Sequence, residues 1–167
     1  MNSSPHCSVA VSTVADLSER ALVGCLLNAS VGQAREWLTL FTADDLDDVK
    51  LRLIVELIAG CAAGGRTPSA DVVFAAGRST GEVWASGLPA FSAELVDLAT
   101  NTAMAAWAPL HAAEVVAASL RRRASQTATR LGQAAETAST EALLAVIETE
   151  AIELVTAMHR VNGSAVA

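Results

Sequence analysis

Tyrosine is absent and aromatic residues make up only 4% of the 167-residue chain, so the core is not built from large rings. Lysine occurs once, at Lys50, and it follows Val49 rather than a glycine. A phosphate-cradling loop of the form GxxxxGK[ST] needs lysine directly after glycine, so the sequence carries no nucleotide motor of that kind. The paired glycines in "GCLLNASVG" and "GEVWASG" read as turns and helix packing. No Gly-x-Ser-x-Gly elbow or other recognisable nucleophile arrangement is present. We expect a non-enzymatic chain without ATP hydrolysis and without a cofactor.

Metal and disulfide chemistry have equally little to work with. Cys7, Cys25 and Cys61 are odd in number and lack CxxC spacing, and His6, His111 and His159 stand far apart with no paired ligands nearby. Neither a disulfide framework nor a zinc site is expected. The opening "MNSSPHCSVAVSTVADLSER" has no basic n-region and no continuous apolar core, so it does not read as a signal peptide. The longest weakly charged stretch, "TAMAAWAPLHAAEVVAASL", is broken by Pro109, His111 and Glu114 and is poor material for a membrane span. These absences predict a soluble, cytoplasmic protein.

What the chain does have is a hydrophobic content of 52%, carried mainly by alanine, leucine and valine. That composition favours helices packed closely through small side chains. A formal net charge of −7 and a pI near 4.8 argue against broad, non-specific binding to nucleic acid. Helix punctuation recurs. Ser18 is positioned to cap "ERALVGCLL", and Ser30 with Gln33 forms a capping box for "VGQAREWLTLF". Ser69 starts "ADVVFAAGR", and "STGEVWASGLPAFSAELVDLATNT" reads as two short helices joined at Gly87. Ser139 caps the last helix, and "ETAST" joins it to the helix before it as an antiparallel hairpin.

The densest cluster of charge is "DDLDDVKLRLIVELI", residues 44–58. Asp44, Asp45, Asp47 and Asp48 precede Leu51, Ile54, Val55 and Ile58, an i, i+3, i+4, i+7 stripe. A metal site would need further ligands that the sequence does not offer. The aspartates instead read as the solvated start of a helix, where carboxylates contribute roughly 0.3–1 kcal/mol each through capping and the macrodipole.

In order and spacing, these residues resemble the N-terminal domain of replicative DNA helicases of the DnaB type, over residues 18–160. Glu19, Ala21, Leu22, Gly24, Leu26 and Leu27 stand in the places of that family's opening helix. Asp45, Asp48, Arg52, Ile54, Glu56 and Ile58 keep its next landmark, while Leu46, Asp47, Val49 and Leu51 replace an aromatic, a tyrosine, a proline and a histidine. "GGRTPSADVV" is similar to its Gly-x-Pro loop, with one extra residue between Pro68 and Asp71. Asn101, Ala105, Ala106, Ala112, Val115, Arg122 and Arg123 match the approach to its hairpin, whereas Trp107 and His111 stand where asparagine and tyrosine are usual.

The resemblance implies an all-α fold, a globular helical subdomain of about six helices followed by a long antiparallel hairpin. We place a mobile leader at 1–16, the globular part at 17–107, the hairpin at 108–160 and a tail at 161–167. It further implies an oligomerisation and docking module of DNA replication: hairpins pair between subunits into a dimer or a ring of dimers, and the collar recruits helicase, primase or loader proteins. Leu120, Leu131, Leu143, Ile147, Leu154 and Met158 are the expected self-association surface, because a lone hairpin cannot bury so wide an apolar face. Arg121, Arg122, Arg123 and Arg130 form the one basic patch. Guanidinium geometry suits phosphate. Pairing with "ETEAIE" on the facing helix or with an acidic partner fits the overall charge better, so direct nucleic-acid binding is not expected.

Met1 and the ending "HRVNGSAVA" lead us to expect a complete small protein. The alternatives are a fragment of a full ATP-dependent helicase and an unrelated helical regulatory adaptor.

Overall fold

The computed structural model describes residues 6–81, 83, 87–101 and 104–164, with side chains described from residue 16 onward except at 157 and 159–164. Seven α-helices occur among them: α1 His6–Leu27, α2 Val31–Trp37, α3 Val49–Ala63, α4 Ala70–Thr80, α5 Leu88–Thr100, α6 Ala108–Thr137 and α7 Thr140–Ser164. Short 3-10 turns precede α3, at Ala43–Asp45, and α6, at Ala105–Trp107. No strand occurs among the described residues.

Local signals account for most of the boundaries. The Ser30 capping box is present in full: the Gln33 amide donates to Ser30 Oγ at 3.3 Å, and the Ser30 amide donates to Gln33 Oε1 at 3.1 Å. Asp48 caps α3 by accepting the Lys50 amide at 2.7 Å, and Ser139 Oγ accepts the Ala142 amide at 3.3 Å. Asn28 closes α1, its side-chain amide donating to the Gly24 carbonyl at 3.0 Å and to the Ala99 carbonyl of α5 at 2.9 Å. Gly81 ends α4 at φ 74°, a left-handed position that a side chain would strain.

One expectation about boundaries is corrected. The helix capped at Ser18 in the sequence reading starts at His6, so Ser18 lies inside α1 and the 16/17 division falls within a helix. Ser18 serves the tertiary structure instead, donating to Glu114 of α6 at 2.5 Å. The described part of the globular region holds five α-helices, and the first of the two short helices read around Gly87 falls largely outside the described residues. The first hairpin helix, α6, starts at Ala108, and its Ala108, Ala112, Val115 and Val116 also belong to the core.

That core is aliphatic, as the composition requires. Leu22, Val23 and Leu26 of α1 meet Leu51, Ile54 and Ile58 of α3, with Val73, Leu95 and Val115 closing the sides. Close approach occurs at one glycine: a Cβ on Gly77 would stand 3.0 Å from Phe91 and 3.1 Å from Leu57, so alanine there would push both side chains aside. The first half of α6 lies along α1, and the second half leaves the globular part to pair with α7.

Candidate functional site

Two features remain once the aliphatic core is assigned: a charged joint at the root of the hairpin, and an apolar face along its outer side. The joint begins with Glu19. It occupies the row Glu19, Leu22, Val23, Leu26, with i, i+3, i+4, i+7 spacing, so α1 carries it into the interior, where it is 1% exposed. Its carboxylate accepts the Asp47 amide at 2.8 Å and the Asp48 amide at 3.3 Å, both at the start of α3, and lies 3.5 Å from Arg122 Nη1. Burial pushes its pKa above the ordinary 4.5, although these donors and Arg122 oppose the rise.

Asp45 is the second buried carboxylate, 2% exposed. It accepts from the Thr42 amide and hydroxyl, both at 2.9 Å, and from Ser119 Oγ of α6 at 2.9 Å. Arg122 donates to the Asp45 carbonyl at 2.5 Å and reaches Asp47 at 3.5 Å, while Arg123 donates to Ser119 at 3.3 Å and stands 3.9 Å from Asp45. The four aspartates therefore divide. Asp44, Asp47 and Asp48 are exposed as the helix-start reading expects, but Asp45 is a buried tie between the 3-10 turn and the hairpin root. Among the described residues no group of three or more His, Cys, Asp or Glu converges as a metal ligand set.

The arginines divide as well. Arg122 and Arg123 are held in the joint, and Arg130 pairs with "ETEAIE": its Nε and Nη2 meet Glu150 at 2.5 and 2.7 Å, with Glu153 at 3.8 Å. Arg130 and the Thr127 hydroxyl hold the Glu150 carboxyl below its ordinary range. Arg121 is exposed. A polar cleft of about 330 Å3 opens here, lined by Asp44, Asp47 and Glu153 as well as by Arg52, Arg122 and Arg130. Carboxylates interleave with Arg122, Arg123 and Arg130, so these three belong to an ion-pair lattice and Arg121 alone of the four stands outside the cleft.

The expected self-association residues are not brought to one face. Leu120, Leu131, Leu143 and Leu154 are half-buried, with Leu143 and Leu154 on the same row of α7 as Glu150, whereas Ile147 and Met158 are exposed. Leu144, Ile147, Ala151, Val155 and Met158 form a row at i, i+3, i+7, i+11, i+14, and its four large members are 43% to 56% exposed. Fourteen residues in four steps average 3.5 per step, the repeat of a seam between paired helices. Over about 21 Å of helix, that row has no polar side chain.

The sequence reading missed Glu19, Asp45 and Glu150 as buried groups. Glu19 and Glu150 each carried a signal, since each lies at core spacing with its aliphatic neighbours. Asp45 carried only the Thr42-x-x-Asp45 capping spacing, which does not reveal burial. No single helix among the described residues is long and apolar enough to cross a membrane.

No protein-family model and no curated protein matches the sequence. Solved structures do match. The chain is similar to the crystal structure of the N-terminal domain of DnaB helicase from Mycobacterium tuberculosis, with a TM-score of 0.70 at 19% identity, covering 81% of this chain and 94% of that one. The all-α fold expected from the resemblance, that of a DnaB helicase N-terminal domain, is therefore the fold observed.

Proposed function

We propose that the chain is a non-enzymatic oligomerisation and protein-docking module linked to DNA replication, self-associating through the outer face of its helical hairpin. The observation that carries this reading is the Leu144, Ile147, Ala151, Val155, Met158 row, exposed along a helix whose opposite side is already packed. Contiguous apolar surface of this kind marks an interaction site. A second copy of the same row is a self-complementary occupant under two-fold symmetry, and an ordinary interface needs about 800 Å2 per partner.

The fold supports the link to replication, with replicative helicase, primase or loader proteins as the partners and the cytoplasm as the compartment. Arg121 is exposed, and to it we assign the contact with an acidic partner. Arg122, Arg123 and Arg130 have internal partners.

Sedimentation tests the reading. The unmodified chain should sediment as a dimer or larger at micromolar concentration. Ile147→Asp with Val155→Asp should be monomeric with unchanged helical circular dichroism, because both residues lie on the outward row. A monomeric unmodified chain would end the proposal.

A further inference from the structure

Helix α7 has two apolar rows, and the one that packs on α6 is the more polar of the two. The inward row is Leu143, Val146, Glu150, Leu154, centred on a carboxylate that is 6% exposed. The outward row of Leu144, Ile147, Ala151, Val155 and Met158 has no polar member. Burial of apolar surface alone favours the opposite arrangement, because a carboxylate loses its hydration on being buried. The two rows are related by one residue step, a rotation of about 100° around the helix axis.

What opposes that rotation is a set of bonds that exists only in the observed register. Thr127, buried on α6, donates its hydroxyl to Glu150, and Arg130, one turn further on, donates to both Glu150 oxygens at 2.5 and 2.7 Å. Arg130 also reaches Glu153, the residue one turn beyond Glu150 on the side that faces the polar cleft. Rotating α7 to bury the outward row breaks all of these together. A single polar cluster in an otherwise apolar helix pair is a well-attested means of fixing register and orientation.

We infer that Thr127, Arg130 and Glu150 form a register lock that decides which face of α7 is presented to a partner. With the lock closed, the all-apolar row faces outward and is available to a second copy. With it removed, α7 rolls and buries that row against α6, so the chain loses its own docking surface without unfolding. The availability of the row stands on this structure alone; its use by a second copy rests on the self-association reading above.

The test separates the two. A cysteine at Val155, in a Cys7→Ser background, is alkylated at nanomolar concentration, where association does not mask it. The rate is compared between the otherwise unmodified chain and Thr127→Val with Arg130→Met, which removes the donors and leaves the Glu150 carboxylate unpaired on the inward row. The expected result is a drop of at least ten-fold in rate with helicity retained, and a monomer in sedimentation. Arg130→Lys, which keeps a cationic donor beside Glu150, should leave both the rate and the association close to those of the unmodified chain.

Equal alkylation in the two backgrounds overturns the lock. A monomeric unmodified chain, by contrast, sinks self-association while the alkylation comparison still decides the lock. If the double variant does not fold, Glu150→Gln, which keeps shape and the Thr127 bond but loses the charge, should give an intermediate rate; a rate equal to that of the unmodified chain overturns the inference.

Discussion

The globular part buries two carboxylates and the hairpin one, Glu150, but the hairpin also lines up exposed aliphatic side chains in one row. Around α1 and α3, Glu19 and Asp45 are buried and multiply bonded, so the hairpin root is fixed by directional contacts. Along α7, Ile147, Val155 and Met158 are exposed with no intramolecular partner of comparable extent. The difference separates two tasks. Directional bonds set where the hairpin points, and non-directional surface sets what it meets. A hairpin held only by apolar packing at its root has no fixed angle at which to present a row of side chains.

The comparison breaks most strongly with truncations. Leu22→Ala in the core should cost about 3 kcal/mol, through lost transfer energy and a residual cavity. Val155→Ala on the hairpin should change monomer stability by less than about 0.5 kcal/mol. Urea denaturation of both variants measures the contrast, and equal costs would show that the hairpin row is core after all.

Arg122→Ala attacks the joint next. It leaves the Glu19 carboxylate buried without its cation and removes the donor to the Asp45 carbonyl, a loss of about 2 kcal/mol at a side chain that remains partly exposed. Helicity should persist. The hairpin root should show faster amide exchange than α3, and uniform exchange across both would contradict the assignment of Arg122 to the joint.

The smallest effect is in pH dependence. Glu19 has a folded-state pKa above the ordinary 4.5, so its contribution to stability is complete below 4.5 and is lost as pH rises through the raised value. Glu150 has the opposite sign: its contribution is present above 4.5 and is lost as pH falls through its lowered value. Glu19→Gln should therefore flatten the decline in urea midpoint above pH 4.5 while leaving the acid-side loss in place. A decline of the same slope in the variant would assign that window to another group.

Much of the fold was legible because helices announce themselves through period and caps. The Ser30 box, Asp48, Ser139 and the stripe through Leu51, Ile54 and Ile58 are local features, and local features are what a sequence displays directly. The start of α1 was not legible in the same way, because Ser18 is a good cap by residue type and only the tertiary bond to Glu114 reveals its other use. The site was less legible than the fold. Whether Leu154 or Val155 faces the solvent depends on which side of α7 meets α6, and periodicity alone favours the row without Glu150. Asp45 and Asp47 look alike in a run of aspartates, and only the approach of Ser119 from α6 distinguishes them.

The most direct measurement of self-association through the outer hairpin face is a cross-link at the middle of the row. In a Cys7→Ser background, cysteine at Ala151 should yield a disulfide-bonded dimer under mild oxidation at micromolar concentration, while cysteine at exposed Val96 on α5 should not. A covalent dimer through position 96 with none through position 151 would place the contact on the globular part and contradict the account.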